Sequence, residues 1–94
     1  MKNRSVVFVS GNFNILHPGH LRLFKFAKEC GRRLIVGVYS DKYPGVSAII
    51  PASLRLEAVQ SNRLVDECYL IDDDVTKTIN KIKPDLVVKG KEYE

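Results

Sequence analysis

Two histidines three residues apart, His17 and His20, close the segment Ser10-Gly11-Asn12-Phe13-Asn14-Ile15-Leu16-His17-Pro18-Gly19-His20. The β-branched run Val6-Val7-Phe8-Val9 precedes it, and a helical pattern starts near Pro18. With Pro18 as the first helical residue, His17 takes the cap position and His20 the third. The first N–H groups of a helix lack intrahelical acceptors, and the positive end of its dipole points the same way. Gly11 and Gly19 let a backbone approach closely. A phosphate placed here meets N–H donors and two imidazoles, which could donate to non-bridging oxygens as charge builds on phosphorus. Positioning and charge stabilisation dominate such transfers, so no enzyme nucleophile is required. Other readings compete. A zinc site could use both histidines, but no third ligand stands at helical or CxxC spacing. A Walker loop is excluded because no Gly-Lys-Ser/Thr follows the glycine turn. A purely structural turn, with His17 as an incidental cap, is the plain alternative.

The elements that must position this turn alternate. The pattern predicts a strand over 5–10 and a helix over 18–30. In that helix Leu23, Phe26, Ala27 and Cys30 fit one apolar face, with Arg22, Lys25, Lys28 and Glu29 mainly off it. Pro18 and Gly31 suit its start and end. The apolar run 34–39, broken only by Gly37, reads as a parallel strand buried on both faces. After a loop over 40–50 with Pro44 and Gly45, a second helix is expected over about 51–62 and a strand over about 68–71. Asp72-Asp73-Asp74 then suits a helix N-terminus, where carboxylates oppose the dipole, better than a metal cluster. Val75, Ile79 and Ile82 mark the face of that third helix, Pro84 stops it, and a fourth strand follows over 85–89. Alternation of this kind makes a parallel sheet with right-handed crossovers. Ligands bind such sheets beyond the carboxyl ends of the strands, where strand order reverses. The turns carrying 11–20, Ser40-Asp41-Lys42 and Lys89-Gly90-Lys91 should open on that edge.

The 94 residues make one modest domain, with ordinary apolar (45%) and charged (28%) content. The net charge of +4 is spread along the chain, with no basic run longer than Arg32-Arg33. A solvated basic surface is the plain reading of that charge and an anionic ligand the sharper one; no basic strand interleaved with aromatics suggests nucleic acid, so of the anionic ligands a small phosphorylated one is the better expectation. Cys30 and Cys68 lie far apart and read as small buried thiols, not a disulfide or a metal pair. The early apolar run is too short for a signal peptide and no stretch could span a membrane, which leaves the cytoplasm as the default.

The segment from Gly11 to His20 resembles the GxFDxxHxGH signature of the cytidylyltransferase-like nucleotidyltransferases. Leu34-Ile35-Val36-Gly37-Val38-Tyr39-Ser40-Asp41 is similar to that family's second strand and its following Ser/Thr-Asp. Arg55, Arg63 and Val65-Asp66-Glu67 match the spacing R-x7-R-x-V-D-E of glycerol-3-phosphate and ethanolamine-phosphate cytidylyltransferases. Lys83-Pro84-Asp85-Leu86-Val87-Val88-Lys89-Gly90-Lys91-Glu92-Tyr93 is similar to the P-D-x-x-V-K-G-x-D-Y stretch of heptose-phosphate adenylyltransferases.

The resemblance implies a Rossmann-like α/β/α three-layer fold whose parallel sheet, four strands here, has the order 3-2-1-4. It implies transfer of a nucleotidyl group from a nucleoside triphosphate to a phosphorylated alcohol or sugar, with release of pyrophosphate. The acceptor's phosphate attacks the α-phosphorus directly, and Mg2+ rides on the triphosphate. By position, His17, His20 and Lys42 would be catalytic. Gly11, Asn12, Phe13, His17, His20, Arg63 and Lys89 would hold the nucleotide. Asn14, Asp41, Arg55 and Asp66 would contact substrate or serve the structure, and no residue is assigned to a metal. A homodimer is expected. Arg63 leans the nucleotide to CTP and Lys89-Gly90 to ATP, so CMP transfer is the first expectation and adenylyl transfer the alternative.

Four departures qualify this. Asn14 stands where most members have Asp, as in some mononucleotide adenylyltransferases whose helix start resembles Leu21-Arg22-Leu23-Phe24. Glu92 replaces the usual Asp, and residues 43–52 hold no lysine or arginine. Relatives continue into a fifth strand and a last helix, whose Arg and Ser/Thr-rich turn grip the outer phosphates, so a longer parent protein is expected. A non-catalytic module that holds a nucleotide or docks a partner is the competing class.

Overall fold

The computed structural model describes residues 5–13, 18–43 and 50–88. Seven elements alternate along it: β1 (Val6–Gly11), α1 (Pro18–Cys30), β2 (Arg33–Tyr39), α2 (Ala52–Gln60), β3 (Glu67–Ile71), α3 (Val75–Ile82) and β4 (Leu86–Val88). All strand pairs are parallel and the sheet order is β3-β2-β1-β4, the expected Rossmann-like arrangement.

Strand alternation sorts the core into two layers. Val7 and Val9 of β1 join Leu34, Val36 and Val38 of β2 against Phe24 and Ala27 of α1 and Val59 of α2. On the opposite face Phe8, Ile35 and Ile71 meet Val75, Ile79 and Ile82 of α3. The first two crossovers therefore cover one face and the third the other, and the sheet changes direction between β1 and β4. Gly37 of β2 is required by this packing. A Cβ there would overlap Ile71 Cδ1 and stand 2.9 Å from Phe8 Cζ.

Helix α1 has the expected bounds but presents a different stripe. Phe24 is fully buried with Ala27, whereas Phe26 is 55% exposed. Leu23 and Cys30 are only partly covered. The helix is rotated toward His20, Phe24 and Ala27, one turn apart on one side, because Phe24 packs on Phe13 of the preceding turn. Cys30 and Cys68 are free, half-buried thiols against the same core layer. Burial pushes the Cys68 thiol up to about 12.

The acidic run caps α3 as expected: the Thr76 N–H donates to Asp74 Oδ1 at 2.9 Å. Lys83, left-handed at φ 54, ends the helix by donating its N–H to Ile79 O at 2.7 Å before Pro84. At the amino edge of the sheet, one carboxylate staples each outer strand to its neighbour. Val6 N donates to Asp85 Oδ2 (2.8 Å) while Asp85 N donates to Val6 O (2.8 Å). Leu34 N donates to Asp66 Oδ2 (2.7 Å) while Asp66 N donates to Leu34 O (2.9 Å). Lys28 Nζ of α1 also donates to Asp66 Oδ2, at 2.6 Å.

Candidate active site

The site lies at the carboxyl ends of the strands, where β1 runs out beside the reversal of strand order. Ser10 and Gly11 end the strand buried, and the Ser10 and Tyr39 hydroxyls share a hydrogen bond of 3.1 Å. Phe13 follows in the left-handed region at φ 53, which costs a non-glycine residue about 1 kcal/mol. Burial of its ring offsets that cost. Phe13 is buried and packs on His20 (ring centroids 5.2 Å apart) and Phe24 (5.6 Å). The turn thus directs the chain into α1 and holds the buried imidazole of His20 in the helix's first turn.

Arg55 of α2 ties the loops of this edge together. Its side chain is fully buried. Nε donates to Ile50 O (2.8 Å), Nη1 to Asn12 O (2.7 Å) and Tyr39 O (2.7 Å), and Nη2 to Asp41 Oδ1 (2.8 Å). The other Asp41 oxygen accepts from Ala52 N at 3.1 Å and so caps α2. The Ala52 N–H first, then Arg55, hold the Asp41 carboxyl below its ordinary range. Of the two roles open for Arg55, the geometry supports the structural one, because its donors are engaged by the chain itself. Lys42 is exposed one residue beyond Asp41, and its backbone N–H donates to Ser40 Oγ at 3.2 Å.

Seven of the expected site residues therefore share the carboxyl edge: Gly11, Asn12, Phe13, His20, Asp41, Lys42 and Arg55. Two do not. Asp66 pairs with the amino end of β2, and Arg63 lies exposed in the turn three residues before it. Helix α2 runs away from Asp41 to that opposite edge, so within one chain Arg63 is not brought to the first turn. Burial raises the Asp66 carboxyl, but hydrogen bonds from Lys28 and Leu34 outweigh it and leave a net lowering. Asn14, His17 and Lys89 lie outside the described residues.

Sequence reasoning missed Tyr39 and Tyr43, whose rings stack at 4.2 Å beside Ser10. Their only signal was position, at and just after the end of β2. No group of three or more His, Cys, Asp or Glu that could hold a metal ion occurs among the described residues.

Residues 8–94 match the family described as Cytidylyltransferase-like. The chain belongs to this family. The family takes in nucleotidyltransferases. Among curated relatives, the chain is 39% identical to the Bifunctional protein HldE of Campylobacter curvus, over 97% of this chain and 21% of that protein. It is also 39% identical to the FAD synthase of Ferroglobus placidus, over 89% of this chain and 57% of that enzyme. The FAD synthase of Methanothermus fervidus is 38% identical over 90% of this chain and 63% of its own length. The chain thus spans between about a fifth and three fifths of these relatives. A solved lipopolysaccharide core biosynthesis protein from Thermoplasma volcanium superposes with a TM-score of 0.82 at 32% identity, covering 88% of this chain and 71% of that one. No helix among the described residues is long and apolar enough to cross a membrane.

Proposed function

We propose that this chain transfers an adenylyl group from Mg-ATP to a phosphorylated alcohol or sugar, releasing pyrophosphate. The observation that carries this reading is His20, buried against Phe13 in the first turn of α1 where β1 ends. An oxygen of the acceptor phosphate attacks the α-phosphorus, and the bond from that phosphorus to the bridging oxygen breaks. Helix N–H groups and His20, joined by His17 on the family pattern, donate to the oxygens that gain charge. Lys42 attracts the acceptor phosphate, while Gly11, Asn12, Phe13 and Lys89 border the nucleotide. Mg2+ enters with the triphosphate as part of the substrate.

Two observations favour adenylyl over cytidylyl transfer. FAD is a flavin mononucleotide carrying an adenylyl group, so the FAD synthase relatives are named for a product of that chemistry. Arg63, the residue that leaned the sequence toward CTP, stands at the far edge of the sheet from His20. Cytidylyl transfer keeps support from the spacing of Arg55, Arg63 and Val65-Asp66-Glu67.

Pyrophosphate release measured with ATP and CTP, each against a panel of phosphorylated alcohols and sugars, tests the reading. Turnover with ATP is expected, turnover only with CTP selects the second reading, and binding without release makes the chain a non-catalytic module. His20→Asn should lower kcat by about 100-fold or more, in the range for loss of one transition-state donor.

A further inference from the structure

The oxygen of the Asn12 carboxamide is buried, and among the described residues it is the one such side-chain atom with no hydrogen-bond partner. An unpaired buried acceptor is costly. Nor can the residue swing its main chain away, since Asn12 O is held at 2.7 Å by the buried Arg55 guanidinium. A side chain chosen only to fill space here would carry no such atom. The missing partner must be a donor, which rules out phosphate oxygens. The adjacent guanidinium disfavours an ammonium group, so the donor is neutral.

We propose that Asn12 Oδ1 accepts a hydrogen bond from a hydroxyl of a bound substrate beside the reacting phosphates, and so selects hydroxyl-bearing substrates over deoxy analogues. The inference rests on the nucleotidyl-transfer reading of this edge. The hydroxyl can come from the ribose of the nucleotide or from the carbon chain of the acceptor. Both are arms of one experiment.

Wild type, Asn12→Ala and Asn12→Asp are compared with ATP, 2′-deoxy-ATP and 3′-deoxy-ATP, and with glycerol 3-phosphate against its dideoxy analogue propyl phosphate. Wild type should lose about tenfold in kcat/KM when the recognised hydroxyl is removed, the worth of one such bond. Asn12→Ala should no longer distinguish the pair, and Asn12→Asp, which keeps an acceptor, should. The arm that loses discrimination names the source. Discrimination retained in Asn12→Ala overturns the proposal, as does a preference that follows the exocyclic amine in ATP against ITP.

A readout independent of turnover is the melting temperature without and with Mg-ATP or the acceptor. Ligand-free Asn12→Ala should melt at or above wild type, with a smaller ligand-induced shift. A fall of several degrees without ligand would make Asn12 a structural residue and refute the proposal. Absent turnover of every triphosphate by wild type would instead reject the transfer reading and leave the melting comparison to decide Asn12.

Discussion

Replacing Arg55 should damage this protein more than any other single change at the carboxyl edge, although Arg55 touches no substrate in the proposed reaction. Its buried guanidinium satisfies three backbone carbonyls, those of Asn12, Tyr39 and Ile50. Leaving a carbonyl without its donor costs about 1 kcal/mol each after partial rehydration. Truncation to Ala also forfeits the packing of the aliphatic stem, about 1–2 kcal/mol more. Arg55→Ala should therefore lose about 4–5 kcal/mol, a large share of the roughly 5–15 kcal/mol that holds a domain of this size together. That corresponds to a melting temperature lower by about 15–30 °C. Arg55→Met keeps the stem and should lose about 3 kcal/mol. Arg55→Lys should fall near 2 kcal/mol, since one ammonium cannot reach acceptors spread around a planar fork. Urea unfolding followed by circular dichroism reads all three. An Arg55→Met protein within 1 kcal/mol of wild type would refute the claim that these bonds hold the edge together.

Gly37→Ala should destabilise by about 1–3 kcal/mol, because the new methyl group has to displace Ile71 or Phe8 in a filled layer, and the same urea titration checks it. The Asp66 carboxyl is lowered in the folded protein, so its contribution is complete above its ordinary value near 3.8 and is lost as the pH falls through the lower folded value. The urea midpoint of wild type should drop in that acid window, and Asp66→Asn should flatten the drop. Cys68, its thiol pushed up to about 12, should react with a maleimide at pH 8 far more slowly in the native protein than in urea, as mass spectrometry of the labelled peptide would show. The homodimer expected from the family resemblance should appear as a doubled mass in sedimentation velocity at micromolar concentration.

Elements with a local signal were legible in the sequence. Pro18 and Gly31 bracket α1, Asp74 and Pro84 bracket α3, and the apolar run of β2, broken only by Gly37, marked a strand covered on both faces. Once the helices and strands alternated, parallel pairing followed from the handedness of crossovers. What escaped was set by tertiary contact. Phe24 and Phe26 are equally apolar, and only the left-handed turn at Phe13 decides which of them is buried. Arg55 stood open between a substrate contact and a structural role. Three of its four partners are main-chain carbonyls, which carry no residue-type signature. Arg63 was weighed by spacing along the chain, and spacing does not reveal that α2 carries it to the other end of the sheet. The unpaired oxygen of Asn12 is likewise visible only once its surroundings are closed.

The staples made by Asp66 and Asp85 have a consequence for how this architecture can diversify. Each precedes an outer strand and engages its neighbour through both a backbone donor and a side-chain acceptor. Slipping either strand by one residue would break the staple and turn the strand's apolar face outward. Strand phase is therefore fixed at the end remote from the candidate site. Insertions and deletions in the loops at the carboxyl edge can change length and composition without passing a register error into the sheet. One end of the fold works as a fixed anchor, and the other is left open to evolutionary variation.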